Sequence, residues 1–199
     1  MRKLWVYRVL WYITRPILSL PYPRRSYGRE NMPEGAALVC ANHSSALDPF
    51  LIAYSAGVTH PIRFMTKVEL FRIPVIAPIL RALGMFPVDR EGGGAMAVKG
   101  AMKYLKAGDK VGMFPEGTRV SSEEESAAKN GAVRLAAKMG VPVVPVYLAR
   151  EKKLFRRSLL VIGVPYRIEV DKKTVKQEDY DRLAAEMMEK IRVLGEKRP

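Results

Sequence analysis

The sequence predicts an α/β fold, in which a single domain has a mixed, largely parallel central sheet flanked by helices. From residue 36 onward, short apolar runs alternate with longer amphipathic segments, as strands alternate with helices around such a sheet. A chain of 199 residues suits one core of ordinary size. We therefore expect one domain at residues 31–199, preceded by an N-terminal segment at residues 1–30.

Proline positions set the first element boundaries. Pro49 suits the first position of a helix and disfavours helical backbone at the residue before it. We therefore expect a helix to begin at Pro49, with Asp48 as its N-cap. The predicted elements of this half are a strand at 36–41, a helix at 49–56, a strand at 63–66, a helical region carrying Pro74 and Pro78, and a strand at 85–88.

The second half repeats the alternation. The segment 95–107 places Val98, Met102 and Leu105 on one helical face, with lysines towards solvent. The predicted elements are this helix, a strand at 111–114, a helix at 131–139, strands at 143–148, 159–163 and 166–170, and a closing amphipathic helix at 179–194.

The N-terminal segment is aromatic and apolar from Leu4 to Leu20, but Arg8, Arg15 and Pro16 interrupt it. Its uninterrupted apolar run is shorter than the roughly 20 residues that span a bilayer, and no cleavage site for a signal peptide follows. We expect an amphipathic helix lying in a membrane interface, with basic residues attracting anionic lipid. The alternative is a helix packed on the protein's own core, and both can hold in part. The basic residues are Arg2, Lys3, Arg24, Arg25 and Arg29.

The formal net charge of +14 points to nucleic acid, anionic lipid or an acidic protein as a partner. No nucleic-acid-binding motif is present, and the basic residues surround an apolar N-terminus, which favours lipid. The single cysteine, Cys40, excludes an internal disulfide framework and offers no zinc-ligand spacing, so we expect no metal.

The segment Asn42-His43-Ser44-Ser45-Ala46-Leu47-Asp48 combines an imidazole with a carboxylate. Residues five apart do not share a helical face, so His43 and Asp48 can pair only if residues 42–47 form a loop that folds back. A carboxylate has two oxygens and can both cap a helix and orient an imidazole. In that arrangement His43 is a general base, and Asp48 fixes its tautomer.

A second segment, Phe114-Pro115-Glu116-Gly117-Thr118-Arg119, ends a short buried strand in a tight turn. Backbone N–H groups in such a turn, with Arg119 beside them, can bind a phosphate monoester. Glu116 can hold Arg119 or a substrate hydroxyl.

Together the two segments, in this order, resemble the His-x4-Asp and Phe-Pro-Glu-Gly-Thr-Arg motifs of the glycerolipid acyltransferases, a family that includes the lysophosphatidate acyltransferases. The resemblance implies that His43 and Asp48 are catalytic. Gly84-Met85-Phe86-Pro87-Val88-Asp89-Arg90 resembles a further family motif, in which Arg90 reaches the acceptor phosphate. Residues 141–146 resemble a strand lining the site. The substrate-binding residues that we infer are Asn42, Lys67, Arg90, Glu116, Gly117, Thr118 and Arg119, although a solvated Lys67 is an equal alternative.

The resemblance implies transfer of a fatty acyl group from acyl-CoA or acyl carrier protein to the free hydroxyl of 1-acyl-glycerol-3-phosphate, giving phosphatidic acid. It implies no metal or prosthetic group, and a peripheral location on the cytoplasmic face of a membrane. Other lyso-lipid acceptors, or a non-catalytic lipid- or nucleic-acid-binding protein, are the alternatives. A basic patch at Lys152, Lys153, Arg156 and Arg157 can meet either an acidic carrier protein or lipid.

Overall fold

The computed structural model describes residues 4–88, 94–120, 128–171 and 173–196. Within these ranges the chain forms six α-helices, seven strands and two short 3-10 helices. The helices are α1 (Leu4–Ser19), α2 (Asp48–Ala56), α3 (Ile76–Ala82), α4 (Gly94–Lys106), α5 (Gly131–Met139) and α6 (Gln177–Glu196). The strands are β1 (Arg24–Tyr27), β2 (Ala37–Ala41), β3 (Ile62–Lys67), β4 (Phe86–Val88), β5 (Lys110–Met113), β6 (Val143–Leu148) and β7 (Ser158–Ile162). The 3-10 helices are Arg29–Asn31 and Val68–Arg72.

The strands form one sheet in the order β1-β7-β6-β2-β5-β3-β4. Strand β2 lies at its centre, parallel to both β5 and β6, and β3 continues the parallel set. The pairing of β6 with β7 is antiparallel, which makes the sheet mixed. The predicted fold class is therefore confirmed. Because β2, β5 and β6 run the same way, the loops that follow them meet at one edge of the sheet.

Helices cover both faces of the sheet. On one face, Leu51 and Ile52 of α2 pack against Val39 of β2 and Val144 of β6. On the other face, α4, α5 and α6 pack over Leu38 and a fully buried Cys40. All five residues of β2 are buried, as expected for a central strand covered on both sides.

Strand β1 was not predicted. Its sequence, Arg24-Arg25-Ser26-Tyr27, lies in the segment that we interpreted as helical and lipid-facing, but it pairs in parallel with β7 at the edge of the sheet. An edge strand needs no apolar pattern, because only one of its sides is paired and its surface is half exposed.

The predicted strand at 166–170 is wrong. Tyr166 makes a single bridge with Val143, and the residues after it form no strand. On this side of β6, residues 146–148 pair with β7, and the Gly163 N–H after β7 donates to the Pro145 carbonyl. Only a short stretch at the start of β6 lies beyond these contacts, so the pairing with Tyr166 stops after one bridge.

Helix α1 confirms the alternative in which the N-terminal helix packs on the protein's own core, and its membrane location stays a prediction. Tyr7 and Trp11 are buried against Tyr54 of α2, so one face belongs to the protein's own core. The opposite face is apolar and exposed, with Trp5 and Ile17 each 63% exposed. Within the described ranges, no helix has the length and apolar character needed to cross a bilayer.

Candidate active site

His43 follows the C-terminal end of β2, and Asp48 is the first residue of α2. The loop between them turns back and brings His43 Nδ1 to 2.9 Å from Asp48 Oδ2. The loop pairing expected from the sequence is therefore present. A carboxylate can only accept a hydrogen bond, so Nδ1 carries the hydrogen and Nε2 presents a lone pair, as a general base requires.

The prediction that Asp48 is the N-cap of α2 is wrong. Leu47 holds the cap position, and no side chain caps the helix there. Asp48 Oδ2 instead accepts hydrogen bonds from the backbone N–H groups of Ser44 (2.7 Å) and Ser45 (2.8 Å). The carboxylate thus binds the loop that precedes the helix, and these bonds fix the backbone on which His43 stands.

Lys152 holds the other oxygen of the same carboxylate. Its Nζ lies 2.9 Å from Asp48 Oδ1 and donates to Ser44 Oγ at 2.6 Å, and its side chain is only 5% exposed. Burial alone would raise the pKa of Asp48, but the hydrogen bond from His43, the charge of Lys152 and the Ser45 N–H hold that pKa below its usual value. The interpretation of Lys152 as part of a surface patch for a carrier protein or lipid is therefore wrong.

Glu116 is the second buried carboxylate of the site. Its Oε1 lies 2.6 Å from Arg150 Nη2, and its Oε2 accepts the backbone N–H of His43 at 2.7 Å. Arg150 is therefore a cationic partner of Glu116, for which the sequence suggested Arg119 or a substrate hydroxyl. Glu116 ties the loop after β5 and the chain after β6 to the histidine.

An aromatic ring supports the imidazole. Phe114 stacks on His43, with ring centroids 3.9 Å apart and planes 13° apart, and Phe64 of β3 stacks on Phe114 in turn. These contacts and the bond to Asp48 leave the imidazole with one orientation.

His43 opens into a cavity of about 440 Å³. Its wall includes Met65 of β3, Val88 of β4 and Ala97 of α4, so it is largely apolar. Gly117, Thr118 and Lys129 line the same cavity and add polar groups. The site therefore combines a base with an apolar space and a polar rim.

The remaining predicted site residues differ in accessibility. Gly117, Thr118 and Arg119 are exposed in the turn after β5, and Gly117 has a φ of 74°, which glycine adopts without strain. Lys67 is exposed at the C-terminal end of β3. Arg90 lies outside the described residues.

Asn42 is buried and bonded to the protein itself. Its Nδ2 donates to the Leu148 carbonyl at 2.8 Å, and its Oδ1 accepts the Leu148 N–H at 2.9 Å. Both ends of the amide therefore hold the end of β2 to the end of β6. Sequence reasoning missed Arg150 and Lys152 as members of the site, because only the three-dimensional fold brings them to a loop 106 and 108 residues earlier in the chain.

Comparison with known proteins agrees with this geometry. A family model described as Acyltransferase matches residues 24–149. The chain is 38% identical over 156 residues to the 1-acyl-sn-glycerol-3-phosphate acyltransferase of Bacillus subtilis, which covers 75% of this chain and 76% of that protein. It is 30% identical over 136 residues to the enzyme of the same name from Borreliella burgdorferi, covering 67% of this chain and 54% of the other.

A solved structure extends the similarity to the whole fold. The crystal structure of the 1-acyl-sn-glycerophosphate (LPA) acyltransferase PlsC from Thermotoga maritima matches with a TM-score of 0.70 and 27% sequence identity. The match covers 98% of this chain and 81% of the Thermotoga chain. With the motifs, the fold and the relatives in agreement, this chain belongs to the acyltransferase family and is an O-acyltransferase.

Proposed function

We propose that this enzyme transfers a fatty acyl group from a thioester, either acyl-CoA or acyl carrier protein, to the free hydroxyl of 1-acyl-glycerol-3-phosphate, forming phosphatidic acid for phospholipid synthesis. The observation that carries the proposal is the His43–Asp48 pair, 2.9 Å apart, at the wall of an apolar cavity beside an exposed Arg119. The names of the relatives support the choice of acceptor.

In this reaction His43 Nε2 accepts the proton of the acceptor hydroxyl as that oxygen attacks the thioester carbonyl. Asp48 stabilises the imidazolium that forms, through the hydrogen bond at Nδ1. The tetrahedral intermediate then expels the thiolate, which takes the proton from the imidazolium. The new ester and the free thiol leave, and the base is regenerated without a covalent acyl-enzyme.

The acceptor phosphate lies on the cationic side of the cavity in this proposal. Thr118 and Arg119 offer a hydroxyl and a guanidinium from one exposed turn, which the Gly117 N–H closes by donating to the Phe114 carbonyl at 2.9 Å. Lys67 adds a further cation from the end of β3, and Arg90 completes the predicted set. The apolar wall formed by Met65, Val88 and Ala97 accommodates an acyl chain.

We also propose that the enzyme works at the cytoplasmic surface of a membrane, where its acceptor is embedded. The exposed apolar face of α1, which includes Trp5, Val9, Tyr12, Ile13 and Ile17, supports this location.

The experiment is transfer of a labelled acyl group by the purified protein, with acyl-CoA or acyl carrier protein as the donor. A panel of lyso-lipids that share an acyl chain but differ in headgroup serves as acceptor. We expect 1-acyl-glycerol-3-phosphate to have the highest kcat/KM, and His43→Ala to lower turnover by at least about 10²-fold in a folded protein. Preference for an acceptor without a phosphate monoester would contradict the proposed acceptor, and normal turnover by His43→Ala would contradict the mechanism.

A further inference from the structure

A cationic cleft, separate from the cavity at His43, lies where the end of α1 meets the edge strand β1 and the end of α2. Its volume is about 540 Å³. Five arginines line it, together with serines from α1, β1 and α2. These arginines are Arg15, Arg24, Arg25, Arg29 and Arg157, and we call the cavity the arginine cleft.

The arginines of this cleft have no carboxylate partner among the described residues, unlike the partly buried arginines of the core and of the active site. Arg63 pairs with Asp109 and Arg150 with Glu116. Among the residues described by the structure, no Asp or Glu lies within ion-pair distance of any arginine of the cleft. The cleft is therefore a concentration of positive charge that the protein itself does not neutralise.

Arg24 is the best fixed of the five. Its Nε donates to Ser55 Oγ at 2.7 Å and its Nη1 to Ser19 Oγ at 3.0 Å, and its guanidinium lies 5.8 Å from the centre of the Tyr54 ring. Burial and the neighbouring Arg15 lower the pKa of Arg24 to about 10. The fold thus holds this cation in an unfavourable environment that an anion would relieve.

Arg29 depends on a glycine at the end of α2. A Cβ added to Gly57 would lie 2.3–2.7 Å from three atoms of the Arg29 guanidinium group, and Gly57 has a φ of 95°. Glycine thus allows Arg29 to lie against α2 beside the cleft.

We propose that the arginine cleft binds the phosphate of an anionic phospholipid headgroup while α1 lies on the bilayer. Guanidinium groups bind phosphate oxygens through paired hydrogen bonds, and serine hydroxyls can add further donors. The lipid source is favoured because Arg15 lies one helical turn from the exposed Tyr12 of α1, and Ser19 directly precedes the exposed Leu20. A headgroup in the cleft would therefore leave its chains next to a helix that exposes apolar side chains. The proposal rests on the proposed action at a membrane.

The test compares three triple variants of the full chain, of which the first and the control lose the same charge. The first is Arg15→Gln, Arg29→Gln and Arg157→Gln, which leaves the half-buried Arg24 in place. The second replaces the same three arginines with lysine, which keeps the charge and removes the planar fork. The control is Lys99→Gln, Lys103→Gln and Lys106→Gln on α4, which removes equal charge from three exposed lysines in the helix layer on the opposite face of the sheet.

Co-sedimentation is measured with vesicles of phosphatidylcholine alone and with phosphatidylglycerol in equal parts. With anionic vesicles, we expect the Arg-to-Gln variant to bind at least about tenfold more weakly than both wild type and the α4 control, because each basic residue at an anionic surface contributes to binding. We expect the lysine variant to fall between wild type and the Arg-to-Gln variant. Equal losses in the Arg-to-Gln variant and the control would overturn the site and assign binding to net charge.

Calorimetry with inorganic phosphate and glycerol 3-phosphate distinguishes a soluble phosphate ligand from a lipid headgroup. Saturable binding of either that is lost in the Arg-to-Gln variant, with vesicle binding unchanged, would overturn the lipid assignment in favour of a soluble phosphate. Acyl transfer by the wild-type protein to a monomeric short-chain acceptor tests the proposed function separately. If the wild-type protein transfers the acyl group normally but the Arg-to-Gln variant shows no selective loss of vesicle binding, the proposed function stands and the lipid site in the arginine cleft is rejected.

Discussion

Replacing the buried Lys152 with methionine should make the enzyme more sensitive to acid. The Lys152 ammonium lies 2.9 Å from Asp48 Oδ1, and the His43 imidazole lies 2.9 Å from Asp48 Oδ2. Lys152 therefore opposes the gain of a second positive charge on the imidazole. Without that cation, Asp48 stabilises the imidazolium more strongly, so the inactive protonated form persists to higher pH.

The size of the effect follows from this geometry. Two contacts of 2.9 Å on opposite sides of one carboxylate place the two cations several ångströms apart. At a separation of about 7 Å and an effective dielectric constant of about 20, their repulsion is about 2 kcal/mol, or more than one pH unit. The other buried charges near His43, Glu116 and Arg150, pair with each other and stay in place. We therefore expect the acidic limb of kcat/KM to move up by about one to two pH units.

The assay is kcat/KM against pH with a soluble donor and a short-chain acceptor. Lys153→Met is the matched control, because Lys153 is exposed and pairs with the exposed Glu151. Removing one member of a buried ion pair costs about 3–5 kcal/mol, so thermal melting must show that Lys152→Met is folded. Lys152→Gln is a second variant, which removes the charge but keeps a polar N–H donor at this position. Acidic limbs that coincide with wild type in folded variants would refute the electrostatic role and leave Lys152 a purely structural residue.

Three further predictions concern the same site. Arg119→Ala should raise the KM of a phosphate-bearing acceptor about tenfold or more, with little change for the acyl donor, and an unchanged acceptor KM would move the phosphate elsewhere. Gly112→Ala should lower Tm by several degrees in a melting experiment, because its Cβ would lie 2.2 Å from Phe64 Cε1, whereas Gly131→Ala meets no atom within 4 Å and should change Tm little. Asp48→Asn should reduce the free energy of unfolding at neutral pH, and this deficit should shrink below about pH 4. A carboxylate whose pKa is lowered in the folded state stabilises the fold at pH values above its unfolded pKa. That stabilisation is lost as the pH falls through the folded pKa. A deficit that does not change with pH in denaturant titrations would contradict the last of these.

Elements with a strong local pattern were predicted well. Strand β6 and helix α5 have the bounds expected from the sequence, residues 143–148 and 131–139. Both elements are buried against other layers of the fold. Strand β6 therefore has a continuous apolar run, and the apolar residues of α5 recur with the helical period, so each pattern is visible in the sequence. Strand β1 was missed because its pairing with β7 depends on a strand more than 100 residues away rather than on its own polar sequence.

The candidate site divides in the same way. The His43–Asp48 pair could be predicted from its spacing. Two residues five positions apart do not share a helical face, so their side chains can meet only if the residues between them form a loop. The partners of the two carboxylates could not be predicted, because Arg150 and Lys152 follow a strand that meets β2 only in the folded sheet. A run of basic residues is usually a solvated surface, and sequence alone does not distinguish the one lysine that the fold buries.

The distribution of charge explains why both cations are buried. A histidine base needs a carboxylate partner, and its backbone N–H is bound by a second carboxylate, which places two negative charges in a site shielded from water. Lys152 neutralises the charge on Asp48, and Arg150 neutralises that on Glu116, so the buried part of the site has no net charge while the imidazole is neutral. The exposed Arg119 and Lys67 have no acidic partner within the part of the chain that the structure describes. Their charge is therefore available to an anionic substrate. Because Lys152 and Arg150 neutralise the two buried carboxylates, these carboxylates do not repel that anion.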